Sequence, residues 1–294
     1  MKKNSFLLVL AALIWGVVFV AQSEGGDIIG PYAFNGIRSF IGALVLLPVI
    51  AILNRGKKER NEDKKTLIVG GICCGIILGI ASNIQQFALY LGASAGKAGF
   101  LTACYILMVP IAGIFLKRKC GKNVWIAVVI AIVGLYLLCI KSGSSGIEVA
   151  DLLLLLCALA FTFHIMVIDH FSPMVDGVKM SAIQFLVAGI ISFILMFIFE
   201  NDFKLIIDGF SSGQVLIPVL YTGVLSSGVA YTLQIVGQKN VNPTVASLLM
   251  SLESVFAALA GWLILKESMD LRQLLGCGLI FVGIVLAQLP AKNK

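Results

Sequence analysis

Charge is what this chain has least of. Asp, Glu, Lys and Arg make up 13% of its 294 residues, whereas about 25% is usual in soluble proteins; apolar residues reach 59% and the mean hydropathy is +1.02. The longest hydrophilic run, Asn54 to Lys65, is twelve residues, which leaves no room for a soluble catalytic or regulatory domain. A Walker loop, an HExxH and an aspartate-rich motif are all missing, so neither nucleotide-driven pumping nor metal- or aspartate-based intramembrane hydrolysis has residues to act with. The seven Cys, at 73, 74, 104, 120, 139, 157 and 277, have no CxxC spacing and lie mostly in apolar runs, as packing residues do. No metal or cofactor is expected.

What is there is membrane-length apolar sequence. Ten spans can be drawn, at about 5–22, 32–53, 66–91, 96–116, 123–140, 149–169, 178–199, 214–236, 243–265 and 271–289. Loop chemistry separates them: EGGDIIGP, RGKKERNEDKK, KRKCGK, KSGSSG and HFSPMVDG. The N-terminal MKKNSFLLVLAALIWGVVFVAQS has a signal-like basic start. Its long apolar run, with Trp15 and Phe19 inside, predicts a retained first helix.

The net charge of +7 sits mainly in the short linkers, where it reads as a topology signal rather than a nucleic-acid footprint. With the N-terminus inside, sixteen Lys and Arg residues fall on the inner side and five on the outer, and Arg38 lies within the second span. Both termini are therefore predicted to be cytoplasmic, in a multi-pass protein of the cytoplasmic membrane. Most of the bias comes from the first half.

Two halves are suggested by an internal repeat. A shift of 149 carries residues 75–140 onto 224–289 without a gap, pairing Gly79 with Gly228, Gln85 with Gln234 and Gly134 with Gly283. A shift of 146 carries ALIW at 12–15 onto ALAF at 158–161, and Arg38 onto Gln184. The boundary is drawn at 141/142. Five spans per half is an odd number, so the second half is expected to enter the membrane from the opposite side, an inverted repeat.

The candidate site is built on Glu253. As one helix from Pro243, the ninth span places this carboxyl about 15 Å along, near the middle of a hydrocarbon core of about 30 Å. Ionisable groups at that depth face a bundle interior or a watery cavity. Ala246, Ala257 and Ala260 share its face, and Ser247, Ser251 and Ser254 flank it. A protonated Glu holding a neighbouring helix is the plainer alternative.

Ser82 with Gln85, and the repeat-related Tyr231 with Gln234, form polar faces on the third and eighth helices. These predict two walls of one cavity or simple interhelical bonding, and Asn83 and Gln86 lie beside the first face. Tyr105, with Thr102 before it, raises the same question on the fourth helix. Trp15 either stacks on a ligand or fills space. His164 pairs with Glu253 as a candidate for proton handling, or it is a packing histidine. Arg38 either snorkels to the interface or contacts an anionic substrate. Gly71, Gly75 and Gly79 form a strip for close helix contact, sliding or static.

The segments AALIWGVVFVAQ at 11–22, NGIRSFIGALVL at 35–46, AGFLTACYILMVPIAGIFLKR at 98–118, LLMSLESVFAALAGWLILKE at 248–267 and LLGCGLIFVGIVL at 274–286 give the chain a resemblance to the EamA-type members of the drug/metabolite transporter superfamily. Two positions depart from the family's habit: Ser254 where Pro often follows the Glu, and Arg118 where Glu is frequent, although Glu267 is retained in the second repeat. The resemblance implies an all-α protein of ten helices in two five-helix repeats, acting as an alternating-access carrier and not an enzyme. It names no substrate.

The resulting expectation is a secondary transporter of a small polar or amphipathic metabolite, amino-acid-like or similar. Export and proton coupling through Glu253 are both open. Its partners would be that small molecule and membrane lipid, as monomer or homodimer. An intramembrane enzyme and an uncoupled, channel-like protein are the alternatives.

Overall fold

A computed structural model describes residues 2–55, 63–93, 95–116, 121–139, 148–200, 203–264 and 270–288, and among these there is helix but no strand. Six helical segments among them are long and apolar enough to cross a membrane: Pro31–Asn54, Lys64–Tyr90, Lys97–Phe115, Val149–Phe171, Gly177–Phe199 and Leu216–Gln238. Four shorter apolar helices, Lys3–Trp15, Lys122–Leu138, Pro243–Leu259 and Leu271–Ala287, fall where the remaining spans were drawn. Lys117, Arg118, Lys266, Glu267 and the 141/142 boundary lie outside the described residues.

The first span is two helices, α1 (Lys2–Trp15) and α2 (Val18–Ile29). At the break, Gly16 lies against Phe256, so closely that a Cβ would come within 2.7 Å of the Phe256 Cβ. The expected loop EGGDIIGP is instead mostly helix: Gly25 and Gly26 are contact points, against the Phe34 ring and the Gln86 amide, and α2 runs on to Ile29. The turn is made by Gly30 alone, at φ 88°, with Pro31 opening α3 (Pro31–Asn54).

Then come α4 (Lys64–Tyr90), α5 (Ala95–Ala103), α6 (Tyr105–Phe115) and α7 (Lys122–Cys139). The second half contains α8 (Val149–Phe171), α9 (Gly177–Phe199), α10 (Phe203–Ser211), α11 (Leu216–Leu220), a π-helical stretch Tyr221–Ala230, α12 (Tyr231–Gln238), α13 (Pro243–Met250), α14 (Leu252–Ile264) and α15 (Leu271–Gln288). Asp63, Asp176 and Asn242 cap α4, α9 and α13 through their side chains, which explains where those helices start.

Besides the first, three more expected spans are interrupted. The fourth breaks at Cys104, and the ninth at Ser251, whose hydroxyl bonds back to the Leu248 carbonyl at 2.8 Å. Glu253 therefore belongs to a second, shorter helix and not to one rod from Pro243. The eighth widens into the π stretch after Pro218, where the Thr222 hydroxyl donates to the carbonyl of Pro218 at 2.7 Å.

Packing follows the halves. The most extensive helix contacts are α7 with α15, α3 with α9, and α4 with α8 and α9; α1 lies on α12, and α13 on α6. Exchanging one half for the other turns the pairing of α4 with α8 into that of α12 with α1, turns α13 with α6 into α5 with α14, and returns α7 with α15 and α3 with α9 to themselves. Gly134 faces the Gly276 carbonyl while Gly283 faces that of Ala127, and each of these two contacts becomes the other under the shift of 149. Between α3 and α9, Gly36 meets Phe193 and Gly189 meets Phe40, a reciprocal pair whose spacing is 153 rather than 146. By that packing Arg38 corresponds to Ile191, not to Gln184.

The strip Gly71, Gly75 and Gly79 lets α4 close on Ile183, Val187 and Ile191 of α9. On the opposite side of α4, Ile68, Ile72, Ile76 and Ile80 are exposed at four-residue spacing, as are Leu186, Ile190 and Ile194 on α9. Apolar outer stripes around a tightly packed interior are what a lipid surround requires.

Candidate substrate cavity

A hollow with about 530 Å³ of space not filled by protein atoms lies where the two halves meet. From the first half it is lined by Trp15, Val18, Phe19, Gln22, Arg38, Gln85, Thr102 and Tyr105, and from the second by Phe161, Ile165, Ser226, Tyr231, Gln234, Met250 and Glu253. Several of these are repeat-related, Trp15 to Phe161 and Phe19 to Ile165 at 146, and Gln85 to Gln234 at 149. The walls are thus roughly symmetric while the charges are not, because Cys104 stands at the position related to Glu253.

The helix interruptions position the site. Trp15 ends α1, Tyr105 opens α6, Tyr231 opens α12 after the π stretch, and Glu253 is the second residue of α14. A chain broken at mid-membrane depth turns helix ends inward, where broken transporter helices place their binding groups. Glu253, 7% exposed, sits in the first turn of α14, where the helix dipole favours negative charge. It forms no hydrogen bond or ion pair among the described residues.

Arg38 does not reach the interface, which overturns the snorkelling expectation. It is 4% exposed, with its guanidinium carbon 6.0 Å from the centre of the Phe34 ring. Its Nε donates to Asn35 Oδ1 at 2.6 Å, and Asn35 Nδ2 donates to the Ser82 carbonyl at 2.8 Å and to Asn83 Oδ1 at 3.2 Å. Asn83 Nδ2 continues to the Gly79 carbonyl and to Ser192 Oγ, at 2.7 and 2.8 Å. Ser82 and Asn83 are therefore buried in this chain of bonds behind Arg38 and do not line the hollow.

A second network joins α2, α4 and α5. Gln22 Nε2 donates to Gln85 Oε1 and Gln86 Oε1 at 3.3 and 3.2 Å, Gln86 Nε2 to the Gln22 carbonyl at 2.6 Å, and Gln85 Nε2 to Thr102 Oγ1 at 3.2 Å. Across the hollow, Gln234 Nε2 donates to Gln238 Oε1, and Gln238 Nε2 to the Ile165 carbonyl, each at 3.1 Å. Gln234 Oε1 and Trp15 Nε1 are left buried without partners. Ser226 Oγ on the same lining is likewise unpartnered, so three buried polar atoms of the hollow's walls are left unsatisfied by the protein, where such groups are normally bonded.

The aromatic wall centres on Tyr231, whose ring is 4.8 Å from that of Trp15 and 5.4 Å from that of Phe185, both edge-on. His164 is fully buried outside the lining, 6.1 Å from the Tyr231 ring, with Nε2 3.1 Å from Gln184 Oε1. It makes no hydrogen bond or ion pair with Glu253. Of the sequence candidates, Trp15, Arg38, Gln85, Tyr105, Tyr231, Gln234 and Glu253 are brought together; Ser82, Asn83 and His164 lie behind them. Gln22 and Ser226 were missed, the first because its helix was expected to end there, the second because only the π stretch turns it inward.

Comparison with known proteins adds the family. A model of the EamA-like transporter family matches residues 2–140 and again 148–289. An uncharacterized transporter of Archaeoglobus fulgidus is 30% identical over 286 residues, covering 96% of this chain and 84% of that protein. The uncharacterized transporter YoaV of Bacillus subtilis is 25% identical, with 97% of each chain covered, and the uncharacterized inner membrane transporter YedA of Escherichia coli K12 is 23% identical, covering 95% and 90%. A protein crystal structure shares the fold at a TM-score of 0.80 and 19% identity, over 99% of this chain and 98% of the other. With apolar helices of crossing length and both halves matched, this multi-pass membrane chain belongs to the EamA-like transporter family.

Proposed function

We propose that the protein is a secondary carrier, moving a small polar or amphipathic metabolite across the cytoplasmic membrane by alternating access. The observation that carries this is the hollow between the halves, edged by a buried acid without a partner and by unsatisfied polar groups. The two family matches, one per half, and the reciprocal contacts of α7 with α15 support halves inserted with opposite polarity. Both termini then face the cytoplasm, as the charge bias of the linkers favours.

In this reading substrate binds against Trp15, Tyr105, Tyr231 and the two glutamines, and rocking of one half on the other exposes it to each side in turn. Glu253 couples the cycle to protons by losing its proton on one side and regaining it on the other. The test is flux in proteoliposomes at varied pH, with a substrate found by thermal-shift screening. Glu253→Gln is expected to insert normally and to lose the pH dependence of flux. PH-dependent flux unchanged in that variant would remove Glu253 from the coupling.

A further inference from the structure

Between the seventh and eighth spans the chain does not simply turn. Phe203–Ser211 forms α10, a helix of 9 residues about 13 Å long, too short to cross a hydrocarbon core of about 30 Å. It begins just past the end of α9 and packs on the end of α2, where a Cβ at Gly209 would come within 2.5 Å of Ile29 Cγ2. This helix therefore sits at the level where two spans leave the membrane.

Four-residue spacing divides α10 into three sides. Ile206 and Phe210 pack into the cluster of Ile29, Phe34 and Val219. Lys204, Asp208 and Ser211 are exposed and polar. Phe203 and Ile207 are apolar and yet 49% and 63% exposed. That third side continues the outer surface of the neighbouring spans: the Phe203 ring is 5.7 Å from that of Phe197, and Phe197, Ile198 and Phe199 at the end of α9 are exposed, as is Ile217 of α11.

We infer that α10 is an interfacial helix, lying in the membrane surface with Phe203 and Ile207 at the boundary between phospholipid headgroups and acyl chains, and with Lys204 and Asp208 in water. Its partner is phospholipid. Water would leave two apolar side chains wet beside a lipid-facing surface, and a second copy of this chain would find too little to hold: two side chains of so short a helix fall far short of the area a specific protein contact buries, about 800 Å² a side. Lys204 and Asp208 cancel in charge, so the seat is apolar and needs no anionic headgroup. Because α2 also brings Val18, Phe19 and Gln22 to the hollow, one wall of the site is tied through Gly209 to the membrane surface.

Fluorescence of the full-length protein in phosphatidylcholine vesicles tests it, with Phe203→Trp, Lys204→Trp, Ile207→Trp and Asp208→Trp each read as the increase over the emission of the three native Trp. Phosphatidylcholine brominated high on its acyl chains should quench most of the emission added at 203 and 207 and little of that added at 204 and 208. Iodide on both sides of the membrane should do the reverse. Each side of the helix is sampled twice, so the contrast survives the loss of one variant that fails to insert. Iodide quenching as strong at 203 and 207 as at 204 and 208 would mean a helix standing in water and overturns the inference. Protection of 203 and 207 from both quenchers overturns it by putting protein on that side. Equal bromolipid quenching at all four positions contradicts the flat seat, and quenching at 203 and 207 that requires added anionic lipid contradicts its apolar character.

Discussion

Removing the Asn35 side chain should do more damage than the loss of one polar residue suggests. Its amide accepts from Arg38 Nε at 2.6 Å and donates to the Ser82 carbonyl and Asn83 Oδ1 at 2.8 and 3.2 Å, so Asn35→Ala deletes three buried bonds at once. At about 0.6 kcal/mol for each of the two bonds that cross to α4, the direct loss is about 1 kcal/mol. The Arg38 Nε, left buried without an acceptor, adds about 1–3 kcal/mol. Unfolding in mixed detergent micelles should thus show a loss of about 2–4 kcal/mol, the sum of those two contributions. Asn35→Asp is the discriminating variant, because it keeps an acceptor for Nε while supplying Arg38 with a counter-charge. It should retain more stability than Asn35→Ala and lower ligand affinity about tenfold, since the guanidinium is already matched. Wild-type stability of Asn35→Ala, or wild-type affinity of Asn35→Asp, would refute the role given to this chain of bonds.

Two further outcomes follow from contacts between the halves. A Cβ at Gly134 would lie 2.7 Å from the Gly276 carbonyl oxygen, so Gly134→Val should force α7 from α15 and cost about 1–3 kcal/mol in thermal or detergent unfolding, with Gly278→Ala, which meets open space, as the neutral control. Glu200, just beyond α9, accepts from the backbone N–H groups of Tyr32 and Ala33 at 2.7 and 2.8 Å and so caps α3 from the other half. Glu200→Ala should cost about 1–3 kcal/mol, read in the same way.

Much of the architecture was legible because lipid imposes length and polarity on each crossing, and the apolar segments fall where the runs were drawn. Gln85 with Gln234, Tyr105, Tyr231, Trp15 and Glu253 could be singled out because polar or bulky groups stand out against apolar sequence. What stayed hidden depends on tertiary contact. Gly16 breaks the first span because Phe256 presses on it, and nothing around residue 16 announces Phe256. Cys104 and Ser251 are ordinary helix residues by type, yet the chain is interrupted at both. For Arg38 the snorkelling alternative rested on distance along the helix, whereas the bond to Asn35 and its 4% exposure keep it inside. The glycines of EGGDIIGP looked like a loop and prove to be contact points for Phe34 and Gln86.

Counterflow tests the carrier claim most directly. Proteoliposomes loaded with unlabelled substrate and diluted into a trace of the labelled compound should accumulate label transiently above its equilibrium level, because a binding site that faces one side at a time exchanges one molecule for another. Label that only rises to equilibrium at the same rate whether or not the vesicles are loaded would mean a continuous pore, and would contradict alternating access around the hollow of Arg38, Tyr231 and Glu253.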